Sequence, residues 1–127
     1  MKILHISTFD IAGGAARAAY RLMDGQRRAG LNATMLVARK DLSDPGIIEP
    51  FGNFSRLTHR YLHPRLDHFI ASIGQPQNRP IFSPAYVGGN VCRRVQKLKP
   101  DIVHLHWVTG GWVRPEYLTK FRTPIVW

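Results

Sequence analysis

Gly13 and Gly14 stand between a run of strand length and a run of helical periodicity, and this junction constrains the whole chain. Lys2–Ser7 is short and mostly apolar, and Thr8–Gly14 is a turn that ends in the two glycines. Over 15–29, Ala16, Ala19, Tyr20 and Met23 follow the i, i+3, i+4, i+7 spacing of a buried helical face. Arg17, Arg21, Asp24 and Arg28 form a polar stripe at the same spacing. Gly30 supplies a C′ stop, with Leu31 placed for the apolar contact beyond it. Gly25 is a blemish, costing about 1 kcal/mol against alanine in a helix interior. Strand, glycine crossing and helix make the opening βα unit of a parallel α/β domain. Ligands of such sheets bind outside the carboxyl ends of the strands.

Two adjacent glycines permit positive φ and close backbone approach. They lead into a helix whose first N–H groups have no intrahelical acceptor, and those donors together with the helix dipole favour a phosphate. Gly13, Gly14 and Ala15 are therefore the expected phosphate loop. The pattern is neither G-x-G-x-x-G nor a Walker A loop, since no third glycine and no Gly-Lys-Ser/Thr follows. The same residues also suit a tight crossing that holds no ligand.

The βαβ rhythm continues with a second strand over 32–38, two residues beyond Gly30. Arg39 and Lys40 stand at its carboxyl end, and Asp41–Pro50 reads as loop, with Ile47 and Ile48 as a short edge strand. Residues 54–73 form a basic helical insertion. Leu62, Leu66, Phe69, Ile70 and Ile73 fall on one face and Arg56, Arg60 and Arg65, with three histidines, on the other; Pro64 splits it in two. Such a pair lies on a membrane surface or presents a solvated face over a core-facing stripe. Ser83 and Pro84 start a helix over 84–99 with Val87, Val91, Val95 and Leu98 as its apolar stripe, ended by Pro100. Residues 102–106 form a strand whose continuous apolar run suits burial on both faces. A second glycine pair, Gly110 and Gly111, follows it; a helix over 115–121 and a strand over 124–127 complete the chain.

A length of 127 residues is enough for one domain, not two. The single cysteine, Cys92, excludes an intrachain disulfide and a cysteine-based zinc site; among Val91 and Val95 it reads as buried and inert. The start of the chain is too short and too polar for a signal peptide or a membrane span, so the expected location is cytoplasmic. Eighteen Lys and Arg against eight Asp and Glu give a net charge of +10, which favours anionic partners: nucleic acid, acidic lipid or phosphorylated substrates.

His104 and His106 share one strand face. A His-x-His pair supplies two of the three or four ligands a zinc site needs, with only Asp101 nearby, so no metal is expected. His104 and His5 read as structural, whereas His106, nearer the carboxyl end, is placed to face a ligand. Trp107 and Trp112 flank the second glycine loop and suit either stacking on a sugar ring or capping the core.

Three stretches taken in order resemble a known family: Met1–Thr8 with Asp10–Leu22, Lys99–Trp107, and Thr123–Trp127. Together they are similar to the N-terminal domain of family 4 glycosyltransferases, retaining enzymes of the two-domain GT-B fold, and most to bacterial members of polysaccharide and cell-envelope synthesis. The likeness is dense only at these three stretches. It implies a Rossmann-like, doubly wound parallel sheet over 1–127, the incomplete N-terminal half of such an enzyme. It also implies transfer of a sugar from a nucleotide-diphosphate sugar to a glycan or lipid-linked acceptor, with no further cofactor. The Gly13–Gly14 loop then approaches the donor phosphate, and Asp10, His106, Trp107, Gly110 and Gly111 belong to the acceptor-side cleft. In similar enzymes a catalytic histidine lies a few residues beyond the Pro124–Trp127 strand, and a C-terminal domain holds most of the nucleotide.

The resemblance therefore places no catalytic residue in this chain, which is expected to be inactive alone. Peripheral contact with anionic membrane is expected through Arg56, Arg60 and Arg65; nucleic acid is disfavoured as a partner. Two other readings compete. One is a non-enzymatic basic module for anionic lipid or nucleic acid. The other is a dinucleotide-dependent oxidoreductase using Arg39 on a 2′-phosphate, against which the missing third glycine argues.

Overall fold

The computed structural model describes residues 1–49, 65, 69, 91–108 and 112–127. Five parallel strands form one sheet in the order β3-β2-β1-β4-β5. In chain order they are β1 (Lys2–Phe9), β2 (Asn32–Arg39), β3 (Ile47–Ile48), β4 (Ile102–Leu105) and β5 (Ile125–Val126). Helix α1 (Gly14–Arg28) joins β1 to β2, α2 (Val91–Leu98) precedes β4, and the single turn α3 (Pro115–Leu118) lies between β4 and β5.

Alternation along the central strands sends side chains to two apolar layers. Ile3, Met35 and Val37 pack with Ala19 and Met23 of α1 on one face. Leu4, Ile6, Leu36, Val103 and Leu105 pack on the other with Val91 and Val95 of α2 and with Trp112, Val113 and Phe121. Each of these large side chains, once fully buried, stabilises the fold by about 1.5–3 kcal/mol. Helices cover both faces, as the continuous apolar runs of β1 and β4 require.

Helix α1 ends as the sequence indicates. Gly30 adopts φ 84°, its N–H donates to Arg27 O at 3.0 Å, and Leu31 N–H donates to Gln26 O at 3.0 Å. These two bonds are a Schellman motif, and Leu31 packs onto the α1 layer beyond it. Helix α2 stops without a glycine. Lys99 takes φ 47°, and the Lys2 ammonium donates to the Leu98 carbonyl.

Several boundaries differ from the sequence expectation: β1 runs on to Phe9, two residues into the expected turn, and β5 is shorter than 124–127. The glycine crossing is shorter, because α1 begins at Gly14 itself. The 115–121 helix ends at Leu118, where Lys120 N–H donates to Tyr117 O and Phe121 N–H to Leu118 O; these tight turns swing Phe121 into the core. The 102–106 strand closes at Leu105, although His106 N–H still donates to Ile6 O at 2.9 Å. Cys92 is half-buried rather than buried; burial pushes its thiol pKa up despite nearby Lys120, and Sγ lies 3.4 Å from Tyr117 O. Among the described residues, no helix is long and apolar enough to cross a membrane.

Candidate ligand cleft at the carboxyl ends of the central strands

The strand order reverses between β1 and β4. After β3 the chain returns to pair β4 against the free side of β1, and Leu4 and His5 face Val103 and His104 in register. Outside the carboxyl ends of the strands, this reversal leaves a crevice, the usual ligand position in open parallel sheets. The two strands stay joined to its floor: Thr8 N–H donates to Trp107 O at 2.8 Å.

One wall of the crevice is the start of α1. Gly13, at φ 92° and ψ 168°, holds a conformation that only glycine adopts without strain. No side chain caps the helix, and its first turn carries no acidic residue. The first intrahelical bond is Arg17 N–H to Gly13 O at 3.2 Å, so the N–H groups of Gly14, Ala15 and Ala16 have no acceptor among the described residues. Apart from its chain neighbours and the helix's own backbone, no atom of the described residues lies within 4 Å of where a Cβ on Gly14 would stand, which leaves the backbone open to close approach.

Ser7, Phe9, Gly13, Gly14, Ala15 and Trp107 line a cleft of about 310 Å³ here, near the lower end for small-molecule sites. The Ser7 hydroxyl is buried and has no hydrogen-bond partner among the described residues. A buried hydroxyl without a partner is costly, and this one lines the same cleft as the first residues of α1. Trp107 is 59% exposed and lines the cleft, whereas Trp112, 2% exposed, caps the core. Of the two roles open to them in the sequence, Trp112 takes core capping and Trp107 does not.

The other expected residues are placed as follows. Asp10 is fully buried and is not part of the cleft lining. Its Oδ2 accepts from the Asp41 and Leu42 N–H groups at 2.8 and 2.7 Å, which ties the glycine loop to the segment after β2. His106 turns beneath the cleft toward His5 and His104. Arg65 is an exposed helical residue. Gly110, Gly111, Arg56 and Arg60, and with them the 54–73 insertion apart from Arg65 and Phe69, lie outside the described residues.

The three histidines form a cluster that the sequence separates by about a hundred positions. His5 Nε2–H donates to Gln26 Oε1 at 2.7 Å, so Nδ1 is left as an acceptor for His106 Nε2–H at 2.9 Å. Burial, with the neighbouring His104 and His5, pushes the His106 pKa down to about 4. Burial also lowers the His5 pKa, partly opposed by the Gln26 bond and aided by His104. Both rings are therefore neutral near pH 7.

Sequence reasoning missed Ser7 and Gln26. Ser7 carries one legible signal: period 2 places it on the α1 face of β1 with Ile3 and His5, one residue before the turn. Gln26 carries none, because its role depends on the angle at which α1 crosses the sheet.

A wider groove of about 700 Å³ lies between α1 and the 42–45 loop. Its charges satisfy one another, Arg27 on Asp44 at 2.9 Å and Arg28 on Asp24 at 2.8 Å, so it offers a ligand little unspent polarity. Among the described residues, the cleft at the glycine loop instead presents three amide donors, one hydroxyl and one aromatic residue, with no ionisable side chain in its lining. In chemical terms that set suits an anion, and its described members include no general acid or base. No protein-family model, no curated protein and no solved structure matches the chain.

Proposed function

We propose that this cleft binds the diphosphate of a nucleotide-diphosphate sugar, and that the chain is the acceptor-side, Rossmann-like half of a retaining GT-B glycosyltransferase acting on a glycan or lipid-linked acceptor. The observation that carries the reading is the uncapped start of α1 beside the unpartnered Ser7 hydroxyl, at the strand-order reversal between β1 and β4. Amide donors aimed at a leaving diphosphate need no reorganisation as charge develops there. Trp107, exposed at the same cleft, supplies a stacking face for a sugar ring. All of these groups come from one wall. The opposite wall belongs, in this reading, to a second domain, which brings the remaining phosphate contacts and excludes water.

The test is an amide-resolved NMR titration of the full chain with uridine and guanosine diphosphates and their sugar conjugates, with the nucleosides and NADPH as comparisons. The reading requires saturable shifts at Gly13–Ala16 and at the Trp107 indole with the diphosphates and none with the nucleosides. Saturable binding of NADPH without binding of sugar nucleotides replaces it with the oxidoreductase reading. Shifts confined to basic residues elsewhere reject the cleft as the site.

A further inference from the structure

The three histidines are not among the described residues that line the cleft, and together they have the composition of a ligand set. His104 pairs in register with His5 across β1 and β4, and His106 follows two residues on, on the same face. One donor nitrogen from each of the three rings lies within 4.8 Å of the other two. We propose that His5, His104 and His106 form a binding site for a divalent transition metal of imidazole preference, zinc above all, with a fourth coordination position left open.

Several features argue for a metal rather than for packing alone. All three ligands are imidazoles held on paired strands, so their spacing is fixed by the sheet. Zinc takes histidine nitrogens at about 2.0–2.1 Å, which puts tetrahedral ligands about 3.4 Å apart. His5 Nδ1 and His106 Nε2 already stand 2.9 Å apart, near that spacing, and all three ligand atoms lie within 4.8 Å of one another. His5 is further oriented by Gln26, whose Oε1 accepts from Nε2–H and leaves Nδ1 bare toward the other rings. A ligating histidine ordinarily donates its other N–H to such an oxygen, which fixes its tautomer.

The step on binding also balances. In the free protein His106 Nε2 carries the hydrogen that lies between it and His5 Nδ1. When the ion takes both nitrogens, that hydrogen moves to His106 Nδ1, so neutral rings exchange a tautomer and no net proton is released. Three neutral ligands leave the charge of the cation uncompensated. The open position therefore takes a water or an anionic oxygen. His104 and His106 are only partly buried, which gives the ion a way in.

The proposal is independent of the sugar-nucleotide reading, and its test needs no activity. The chain holds three more histidines, His59, His63 and His68, which compete as ligands. The full chain is therefore prepared with those three replaced by glutamine, treated with chelator and titrated with zinc against a chromophoric chelator, and with cobalt by visible absorption. The expected result is one equivalent bound, with the intense visible bands of tetrahedral cobalt. His104→Gln or His106→Gln should weaken zinc at least about tenfold while far-ultraviolet circular dichroism is unchanged. Gln26→Leu should weaken it less, since it disturbs orientation only. Failure of the background protein to bind zinc at about 0.1 mM overturns the site, as does binding indifferent to His104 and His106. A variant that loses its fold is replaced by histidine-resolved NMR of the background protein: zinc-induced shifts of the His5, His104 and His106 ring signals support the site, and their absence rejects it.

Discussion

Gly13 and Gly14 are neighbours with different tolerances. At φ 92° and ψ 168° Gly13 is bound to its residue type by backbone geometry, so Gly13→Ala should cost about 1–3 kcal/mol in urea unfolding. Gly14 is the first helical residue, with nothing within 4 Å of where its Cβ would stand, so Gly14→Val should leave the urea midpoint close to that of the parent. In the proposed site the same valine blocks backbone approach, and nucleotide-diphosphate affinity should fall at least about tenfold, the worth of about one charge-assisted hydrogen bond. Gly25 is a third case: it lies inside α1 with open space where its Cβ would be, and Gly25→Ala should stabilise by about 0.5–1 kcal/mol. Sequence alone marks all three as glycines at a helix start or interior. It does not tell which has the positive φ, because that depends on where the helix begins, one residue earlier than periodicity suggests. His5 was opaque for a related reason. Its chemistry comes from a neighbour in another strand, and strand register is a property of the folded sheet.

The elements near the ends of the chain were legible to different degrees. Long helix α1 and strands β1 and β2 announce themselves by period and by Gly30, and β3 falls on the Ile47–Ile48 edge read from the sequence, whereas α3 stops at a single turn, three residues short of the expected 115–121. The β3 edge is held by Asp44. Its carboxylate accepts from Gly46 N–H at 2.7 Å, Arg27 Nη1 at 2.9 Å and Tyr20 OH at 3.1 Å, and its carbonyl accepts from Lys40 Nζ at 2.7 Å. One side chain thus ties α1 to the loop that delivers β3. Asp44→Ala removes the partners of two α1 side chains and should cost about 2 kcal/mol, read as a lower urea midpoint. The pH dependence has a definite sign. Burial alone would raise the Asp44 carboxyl, but the Gly46 N–H, Arg27 and Tyr20 outweigh it and hold the pKa below the ordinary 3.8. The folded protein then resists protonation more than the unfolded chain does. The contribution of Asp44 is complete above the unfolded pKa and is lost as pH falls through the lower folded value. Between about pH 5 and about pH 3 the parent should lose more stability than Asp44→Asn. Equal losses would show that the carboxylate is not the group being titrated.

At the scale of the whole molecule, the proposed site implies separable contributions of charge and cleft to anion binding. A net charge of +10 raises the local concentration of any phosphorylated ligand, whatever site receives it. That attraction acts over distance and is screened, with a Debye length of about 10 Å at 0.1 M salt. The amide donors of Gly14, Ala15 and Ala16 act only at contact, where screening by salt is weak. Affinity for uridine diphosphate should therefore fall as salt rises from about 20 mM to about 500 mM, in the parent and in Gly14→Val alike. The ratio between the two proteins should stay nearly constant, because the valine removes a contact and leaves the net charge untouched. Isothermal titration at several salt concentrations measures both quantities. A ratio that shrinks to one as salt rises would mean that surface charge alone binds the nucleotide, and the uncapped start of α1 would then be only the bare end of a strand-to-helix crossing.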